Sequence, residues 1–165
     1  MFRNIEGSKN IWTRKLNIHN DKRGRFVEIL REDLLPSPIH FLQDSYSFSI
    51  KNTARGLHLQ KKQWQLITIL SGSVIDLLID ANNLDLKNKF EIKLDFEETN
   101  QILLAPNIFH GFIVESANAI LNYKSTEAYK ANDESNLYIQ DEFPQIYLQH
   151  QRNLILSDRD KKPKN

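Results

Sequence analysis

The chain has 165 residues and a formal net charge of +1, with 22 basic and 21 acidic side chains. That length fits one domain, and the near-zero charge provides no overall field that would attract nucleic acid or an anionic membrane. The chain has no cysteine, which excludes disulfides, thiolate metal sites and a cysteine nucleophile. No apolar run approaches the roughly 18 residues of a membrane span, and the first residues lack the apolar core of a signal peptide. We therefore predict a soluble cytoplasmic protein with no nucleic-acid or membrane partner.

Short apolar and β-branched runs separated by turns dominate the chain, and helical periodicity is rare. In chain order, strands are predicted at 24–30, 43–50, 54–60, 65–70, 74–80, 90–94, 101–104, 111–114 and 119–123. The Ser-Gly-Ser turn at 71–73 predicts that the strands on either side of it form a hairpin. Segment 31–35, which precedes a proline, predicts one helical turn, and the region from about residue 141 predicts short helices.

This series of about ten strands is typical of an all-β protein built as a two-sheet jelly roll or a β-barrel. Neither an internal repeat nor a linker interrupts the series, so residues 1–165 are predicted to form a single domain. The charged tail at 158–165 is expected to fray.

The predicted strand at 54–60 (ARGLHLQ) has unusual chemistry on one face. Side chains alternate along a strand, so Leu57 and Leu59 share one face while His58 and Gln60 share the other. Arg55 stands at the mouth of the strand, and a cation, a base and an amide so close together suit an anionic, oxygen-rich ligand. His110, on a later strand, could converge on the same barrel cavity, so the polar face is predicted to line a ligand site.

A histidine-bound metal must be weighed against this interpretation. Such a site needs histidines at positions i and i+2 of the strand, a carboxylate further on and a later histidine. Gln60 stands where the second histidine would be, and His110 adds only one more nitrogen. The sequence therefore predicts no metal site. It has no glycine-rich dinucleotide loop either, and no cofactor is predicted.

Each of the other candidate residues has one structural and one functional interpretation. Asp76 lies on a solvated strand face or is a buried carboxylate with a partner. Tyr123 and Tyr129 are packing aromatics or proton donors that face a polar cavity. Trp64 and Phe26 belong to the core or cover a base or sugar ring of a ligand.

Seven motifs in order resemble the dTDP-4-dehydrorhamnose 3,5-epimerase family. They lie at 21–28 (DKRGRFVE), 43–47 (QDSYS), 55–60 (RGLHLQ), 71–76 (SGSVID), 106–112 (PNIFHGF), 123–129 (YKSTEAY) and 156–160 (LSDRD). The resemblance runs from about residue 11 to residue 162. It implies a cupin jelly roll without a metal, a homodimer whose subunits exchange strand contacts, and epimerisation of a nucleotide-diphosphate-linked 4-keto-6-deoxyhexose at C3, C5 or both.

The resemblance also implies roles for single residues. His58 matches the base that removes the proton beside the ketone, and Asp160 matches its carboxylate partner. Tyr123 matches the acid that reprotonates the sugar from the opposite face, Tyr129 matches a tyrosine near the nucleotide, and Asp76 falls where the family has an active-site aspartate. With the residues singled out above, the predicted substrate-binding set is Arg23, Phe26, Glu28, Gln43, Arg55, Gln60, Gln65, His110 and Tyr129.

One departure from the family pattern concerns the reaction itself. Gln65 stands where the family has a lysine against the 4-keto oxygen of the sugar. A separate departure is that two lysines, at 61–62, replace the usual Pro-Pro after the histidine strand. Two alternatives to an epimerase therefore stay open. One is a non-catalytic cupin that binds nucleotide sugars. The other is a 3,4-ketoisomerase on the same fold, although its histidine-rich strand pattern is not evident here.

Overall fold

The computed structural model describes residues 1–81, 88–98, 100–130 and 133–163. Within these residues, thirteen strands form two large antiparallel sheets and one separate hairpin. The six-stranded sheet contains, in spatial order, β1 (Arg3–Asn4), β2 (Ile11–Lys15), β10 (Asn100–Leu104), β7 (Gln65–Ser71), β12 (Asn118–Ser125) and β5 (Gln43–Ile50). The five-stranded sheet contains β13 (Glu134–Asn136), β6 (Ala54–Gln60), β11 (Ile108–Val114), β8 (Ser73–Asp80) and β9 (Lys89–Asp95). The hairpin consists of β3 (Ile18–Asp21) and β4 (Gly24–Val27).

Helical structure is short, as the sequence predicted. A 3₁₀ turn covers Glu32–Leu34, and α1 (Ile139–Glu142) and α2 (Pro144–His150) follow the last strand. The all-β jelly-roll prediction with short C-terminal helices is confirmed. No helix among the described residues is long and apolar enough to cross a membrane.

The main core lies between the two sheets. Ile67, Ile69 and Leu121 from one sheet pack with residues such as Leu78 and Phe112 from the other. A second cluster lies on the far side of the five-stranded sheet, where α1 and α2 cover alternate residues of β6, β8 and β11. Each of these strands therefore has an apolar face toward the helices and a second face toward the space between the sheets.

The predicted hairpin around residues 71–73 is wrong. β7 lies between β10 and β12 in one sheet, whereas β8 lies between β11 and β9 in the other. The chain crosses between sheets at Gly72, whose φ of +75° suits glycine and where a Cβ would lie 2.0 Å from the carbonyl oxygen of Asn118. Both strands are central and mostly buried, so their apolar patterns are alike and give no sign of which strands they pair with.

β5 has two chemically different faces. Its serines, Ser45, Ser47 and Ser49, alternate with Tyr46, Phe48 and Ile50, and the latter three are 73%, 55% and 53% exposed. β5 is also the outer strand of its sheet, with β12 as its pairing partner among the described residues. The fold thus has an apolar stripe on an open edge, which a monomer rarely exposes.

Candidate active site

A cavity of about 470 Å³ opens between the two sheets. The polar side chains that line it from strands β5 to β12 are Ser47, Arg55, His58, Gln60, Gln65, His110 and Tyr123. Others come from the segments after β12: Tyr129, Glu134, Ser157, Arg159 and Asp160. The polar face of β6 therefore lines a cavity, as the alternation of residues 54–60 predicted, while Leu57 and Leu59 pack toward the helices.

A bulge in β6 brings Arg55 to this cavity. Strict alternation would put Arg55 on the same face as Leu57, away from His58. Opposite β11, however, the register changes from His110↔His58 to Phe112↔Arg55, so β6 contains one extra residue. Gly56 makes the bulge possible, because its φ is +99° and a Cβ there would lie 2.5 Å from the Cα of Gly111.

His58 is held by carboxylates on both sides of its ring. Its Nε2 lies 2.7 Å from Oδ1 of Asp160, and its Nδ1 lies 3.2 Å from Oε1 of Glu134. Burial acts to raise the pKa of Asp160, but hydrogen bonds from His58 and Ser157 outweigh it and hold that pKa below its usual value. An ionised carboxylate beside an imidazole fixes the ring orientation and supports a positive charge on it, so His58 is equipped to act as a base.

A second carboxylate–histidine pair faces the same cavity. Nε2 of His110 lies 2.6 Å from Oδ1 of Asp76, which is fully buried. Burial raises the pKa of Asp76, and its second oxygen, Oδ2, has no hydrogen-bond partner among the described residues. Asp76 is therefore the buried carboxylate with a partner, not part of a solvated face. A net-neutral pair is the favoured state in such surroundings, and it leaves Nδ1 of His110 as an N–H donor.

Tyr123 lies on β12, in the sheet opposite the one that carries His58. Its hydroxyl lies 3.1 Å from Oγ of Ser47, and its ring meets that of His110 edge-on at 6.3 Å. Burial raises the pKa of Tyr123, so the phenol keeps its proton at neutral pH. The cavity thus has a carboxylate-paired imidazole on one wall and a neutral phenol on the other.

Four of the predicted substrate-binding residues do not line this cavity. Arg23 is exposed on the β3–β4 hairpin and pairs with Asp21, Phe26 is 67% exposed, and Glu28 is exposed just after the hairpin. Gln43 lies nearer, because its Oε1 accepts a 2.9 Å hydrogen bond from the backbone N–H of Tyr129. The described residues contain no group of three or more His, Cys, Asp or Glu side chains suited to a metal ion.

Comparison with known proteins agrees with these features. The sequence profile of the dTDP-4-dehydrorhamnose 3,5-epimerase family matches residues 6–165. The chain belongs to this family. Its members are epimerases, so the protein is an enzyme of the isomerase class.

Individual members of the epimerase family support the assignment. A dTDP-4-dehydrorhamnose 3,5-epimerase of Methanothermobacter thermautotrophicus is 30% identical over 155 residues, covering 87% of this chain and 83% of that protein. The enzyme of that name from Escherichia coli is 30% identical over 154 residues, with coverage of 88% and 83%. A dTDP-6-deoxy-D-glucose 3,5-epimerase from Legionella pneumophila, solved with dTDP-4-keto-L-rhamnose, superposes with a TM-score of 0.83 at 29% identity, covering 97% of this chain and 89% of that one.

Glu134 and Arg159 were missed by the sequence analysis. Glu134, whose side chain is 5% exposed, accepts a 2.9 Å hydrogen bond from the hydroxyl of Tyr129 and forms an ion pair with Arg159. It reaches the site because β13 pairs with β6, which places Glu134 opposite Gln60 and Asn136 opposite His58. A three-residue edge strand has no periodicity that a sequence pattern could reveal. Arg159 adjoins Asp160, which is 9% exposed, so this part of the tail packs into the site of the epimerase fold.

The Asp160→Asn variant should be less stable than the wild type at neutral pH, and the difference should shrink in acid. The folded-state pKa of Asp160 is lowered, so its contribution is complete above the unfolded value of about 4 and is lost as the pH falls through the folded value. We expect a loss of roughly 1 to 3 kcal/mol at neutral pH. Urea unfolding of both proteins at about pH 7 and about pH 3 measures this. A difference that stayed the same at both pH values would contradict the ionised pair.

Proposed function

We propose that the protein epimerises a dTDP-linked 4-keto-6-deoxyhexose at C3, C5 or both, using His58 as base and Tyr123 as acid, without metal or cofactor. The observation that carries the proposal is the position of the His58–Asp160 pair and the Tyr123 hydroxyl on opposite walls of one cavity. Inversion at a carbon requires that a proton leave one face of the sugar ring and return to the other.

The first step breaks a C–H bond beside the ketone. Such a hydrogen is weakly acidic, so its removal needs a placed base and a stabilised enolate. His58 takes the proton, the C–H electron pair becomes the C=C bond of the enolate, and negative charge moves to the 4-keto oxygen. Asp160, 2.7 Å from Nε2, stabilises the positive charge that His58 acquires.

The enolate oxygen needs a donor, and His110 is the candidate that the cavity offers. Its Nδ1–H is available to the cavity in the net-neutral state of the His110–Asp76 pair. Gln65, which replaces the family lysine, also lines the cavity and contributes a neutral amide. Lys124 is not a substitute for that lysine, because it pairs with Asp44 on the outer face of the sheet, opposite to its neighbour Tyr123.

The second step returns a proton to the other face. The Tyr123 O–H bond breaks, a new C–H bond forms at the same carbon, and the enolate electrons restore the ketone. One turnover leaves a proton on His58 and a negative charge on the Tyr123 oxygen, and exchange with solvent water resets both groups. Epimerisation at a second carbon repeats these two steps.

The nucleotide end of the substrate requires cations. Arg55 and Arg159 both line the cavity, and guanidinium groups suit the oxygens of a diphosphate. The Legionella enzyme binds a dTDP-linked keto sugar, and an enzyme of the family from Bacillus anthracis, 26% identical with a TM-score of 0.81, was solved with TDP. These relatives support a dTDP-linked substrate for this chain.

Incubation with a dTDP-4-keto-6-deoxyhexose in D₂O tests the proposal. We expect proton NMR to show deuterium at C3, C5 or both, together with the inverted sugar, and we expect the same rates after treatment with EDTA. Binding of the nucleotide sugar without deuterium incorporation would favour the non-catalytic cupin. A rate that falls with EDTA and returns with added metal would contradict the metal-free mechanism.

We further propose that the protein is a homodimer in which the β3–β4 hairpin serves the cavity of the partner subunit. The apolar stripe of Tyr46, Phe48 and Ile50 is exposed on an outer strand, which suits a second copy of the chain. The hairpin is fixed by Arg25, whose guanidinium lies 4.5 Å from the centre of the Phe96 ring. In this orientation Phe26 and Arg23, which pairs with Asp21, are both exposed, so a partner subunit can reach them.

The Phe48→Glu variant should be monomeric and should lose most of its activity. A charge in the middle of an apolar interface is costly, and a monomer lacks the second hairpin. Light scattering after size exclusion measures the mass, and Leu148→Glu, at an exposed leucine of α2, is the matched control. Arg23→Ala should lose activity, because the partner's cavity loses the guanidinium of the hairpin. Mixing Arg23→Ala with His58→Ala should restore part of the activity, because one of the two cavities in a mixed dimer has both Arg23 and His58. A monomeric wild type, or no recovery on mixing, would contradict the shared site.

A further inference from the structure

Two serines of β5 each contact a group that the proposed reaction uses. Ser47 Oγ lies 3.1 Å from the Tyr123 hydroxyl, and Ser49 Oγ accepts a 3.1 Å hydrogen bond from Nε of Arg55. Both serines lie on the inner face of the strand, two residues apart, while Tyr46 and Phe48 are exposed on the other face. One strand face thus supports a proton donor at one point and a substrate-binding cation at the next.

The direction of the hydrogen bond between Ser47 and Tyr123 follows from the reaction. When Tyr123 gives its proton to the sugar carbon, its O–H must point at that carbon and not at the serine. The Ser47 hydroxyl must then be the donor and the phenolic oxygen the acceptor. Burial raises the pKa of Tyr123, and the bond from Ser47 acts in the opposite direction.

We propose that Ser47 is the positioning residue that makes Tyr123 a competent acid, by directing the phenolic O–H toward the substrate and donating to the phenolate that forms. This inference rests on the proposed epimerase function. In the step concerned, the Tyr123 O–H bond breaks, the C–H bond forms, and the negative charge left on the phenolic oxygen is held by the Ser47 O–H until solvent returns a proton. Ser47 itself neither gains nor loses a proton.

The Ser47→Ala variant separates the two halves of the reaction. Proton removal belongs to His58 on the other wall, so deuterium exchange at the abstracted position without inversion should continue at nearly the wild-type rate. Inversion should fall roughly 10- to 100-fold, as expected for the loss of one hydrogen bond to a charged oxygen. Ser47→Thr keeps the hydroxyl and should restore most of the inversion.

Ser49→Ala is the matched control on the same strand face. It should raise the KM through Arg55 while leaving the ratio of inversion to exchange unchanged. If Ser47→Ala does not fold, Ser47→Cys carries the test, because its weak S–H donor predicts slowed inversion with retained exchange. Equal losses of exchange and inversion in the Ser47 variants, or full inversion without the hydroxyl, would overturn the proposal. A wild type that neither exchanges nor inverts would instead contradict the epimerase function itself.

Discussion

Replacing His58 with alanine should remove nearly all deuterium exchange and inversion. His110 lines the same wall, but its Nε2 is held by Asp76 and the net-neutral state of that pair leaves Nδ1 as an N–H donor, so His58 is the imidazole that is placed to accept a proton. A positioned general base contributes about 10²- to 10⁴-fold to a proton transfer, so activity should fall by roughly that factor. Proton NMR in D₂O with a dTDP-4-keto-6-deoxyhexose measures both rates on the same sample.

The controls for this variant address stability and surface histidines. His58→Asn keeps a group that can hydrogen-bond to Asp160 while removing the base, so it should be inactive yet closer to the wild type in unfolding free energy. His40→Ala changes a histidine whose side chain is 85% exposed and should leave activity unchanged. Exchange at the wild-type rate in His58→Ala would remove this residue from the role of base.

Replacing Tyr123 with phenylalanine should stop inversion while leaving some exchange. The substitution removes one hydroxyl from the wall opposite His58 and keeps the ring that packs against His110. His58 can still take the proton and return it, or a deuteron from solvent, to the same face. Inversion should fall by roughly 10²- to 10⁴-fold, as for the loss of a general acid.

Tyr147→Phe, on α2 and outside the cavity lining, is the matched control and should behave like the wild type. The measured quantity is again the ratio of inverted product to deuterium incorporated without inversion. Full-rate inversion by Tyr123→Phe would mean that another group is the acid, and Tyr129 would be the next residue to change.

The sequence predicted those parts of the site that depend on local alternation. Residues 54–60 form a strand, and the two-residue period alone placed His58 and Gln60 on a common face. Asp160 came from a resemblance, because no local pattern joins His58 to a residue 102 positions away. For Tyr123 the residues alone left two interpretations, and the resemblance supplied its role as the acid. In the structure, Nε2 of His58 lies 2.7 Å from Oδ1 of Asp160.

Other parts of the site depend on features without a local signal. Arg55 reaches the cavity through a bulge that requires Gly56 to meet Gly111 on another strand. The His110–Asp76 pair results from the registration of β11 against β8, and Glu134 is brought in by a short edge strand. The sheet assignment of β7 and β8 failed for a related reason, since a buried apolar run fits many neighbours.

The position of Asp160 after the last helix has a consequence for how the protein is made. Every strand and both helices precede it in the chain, so a ribosome has synthesised the complete scaffold before this carboxylate emerges. A product that ends prematurely at Leu156 would still contain every strand and both helices, but His58 would lack Asp160 and keep only Glu134 beside its ring. In the proposed mechanism, synthesis of the final few residues therefore completes the His58–Asp160 pair after the rest of the scaffold has been made.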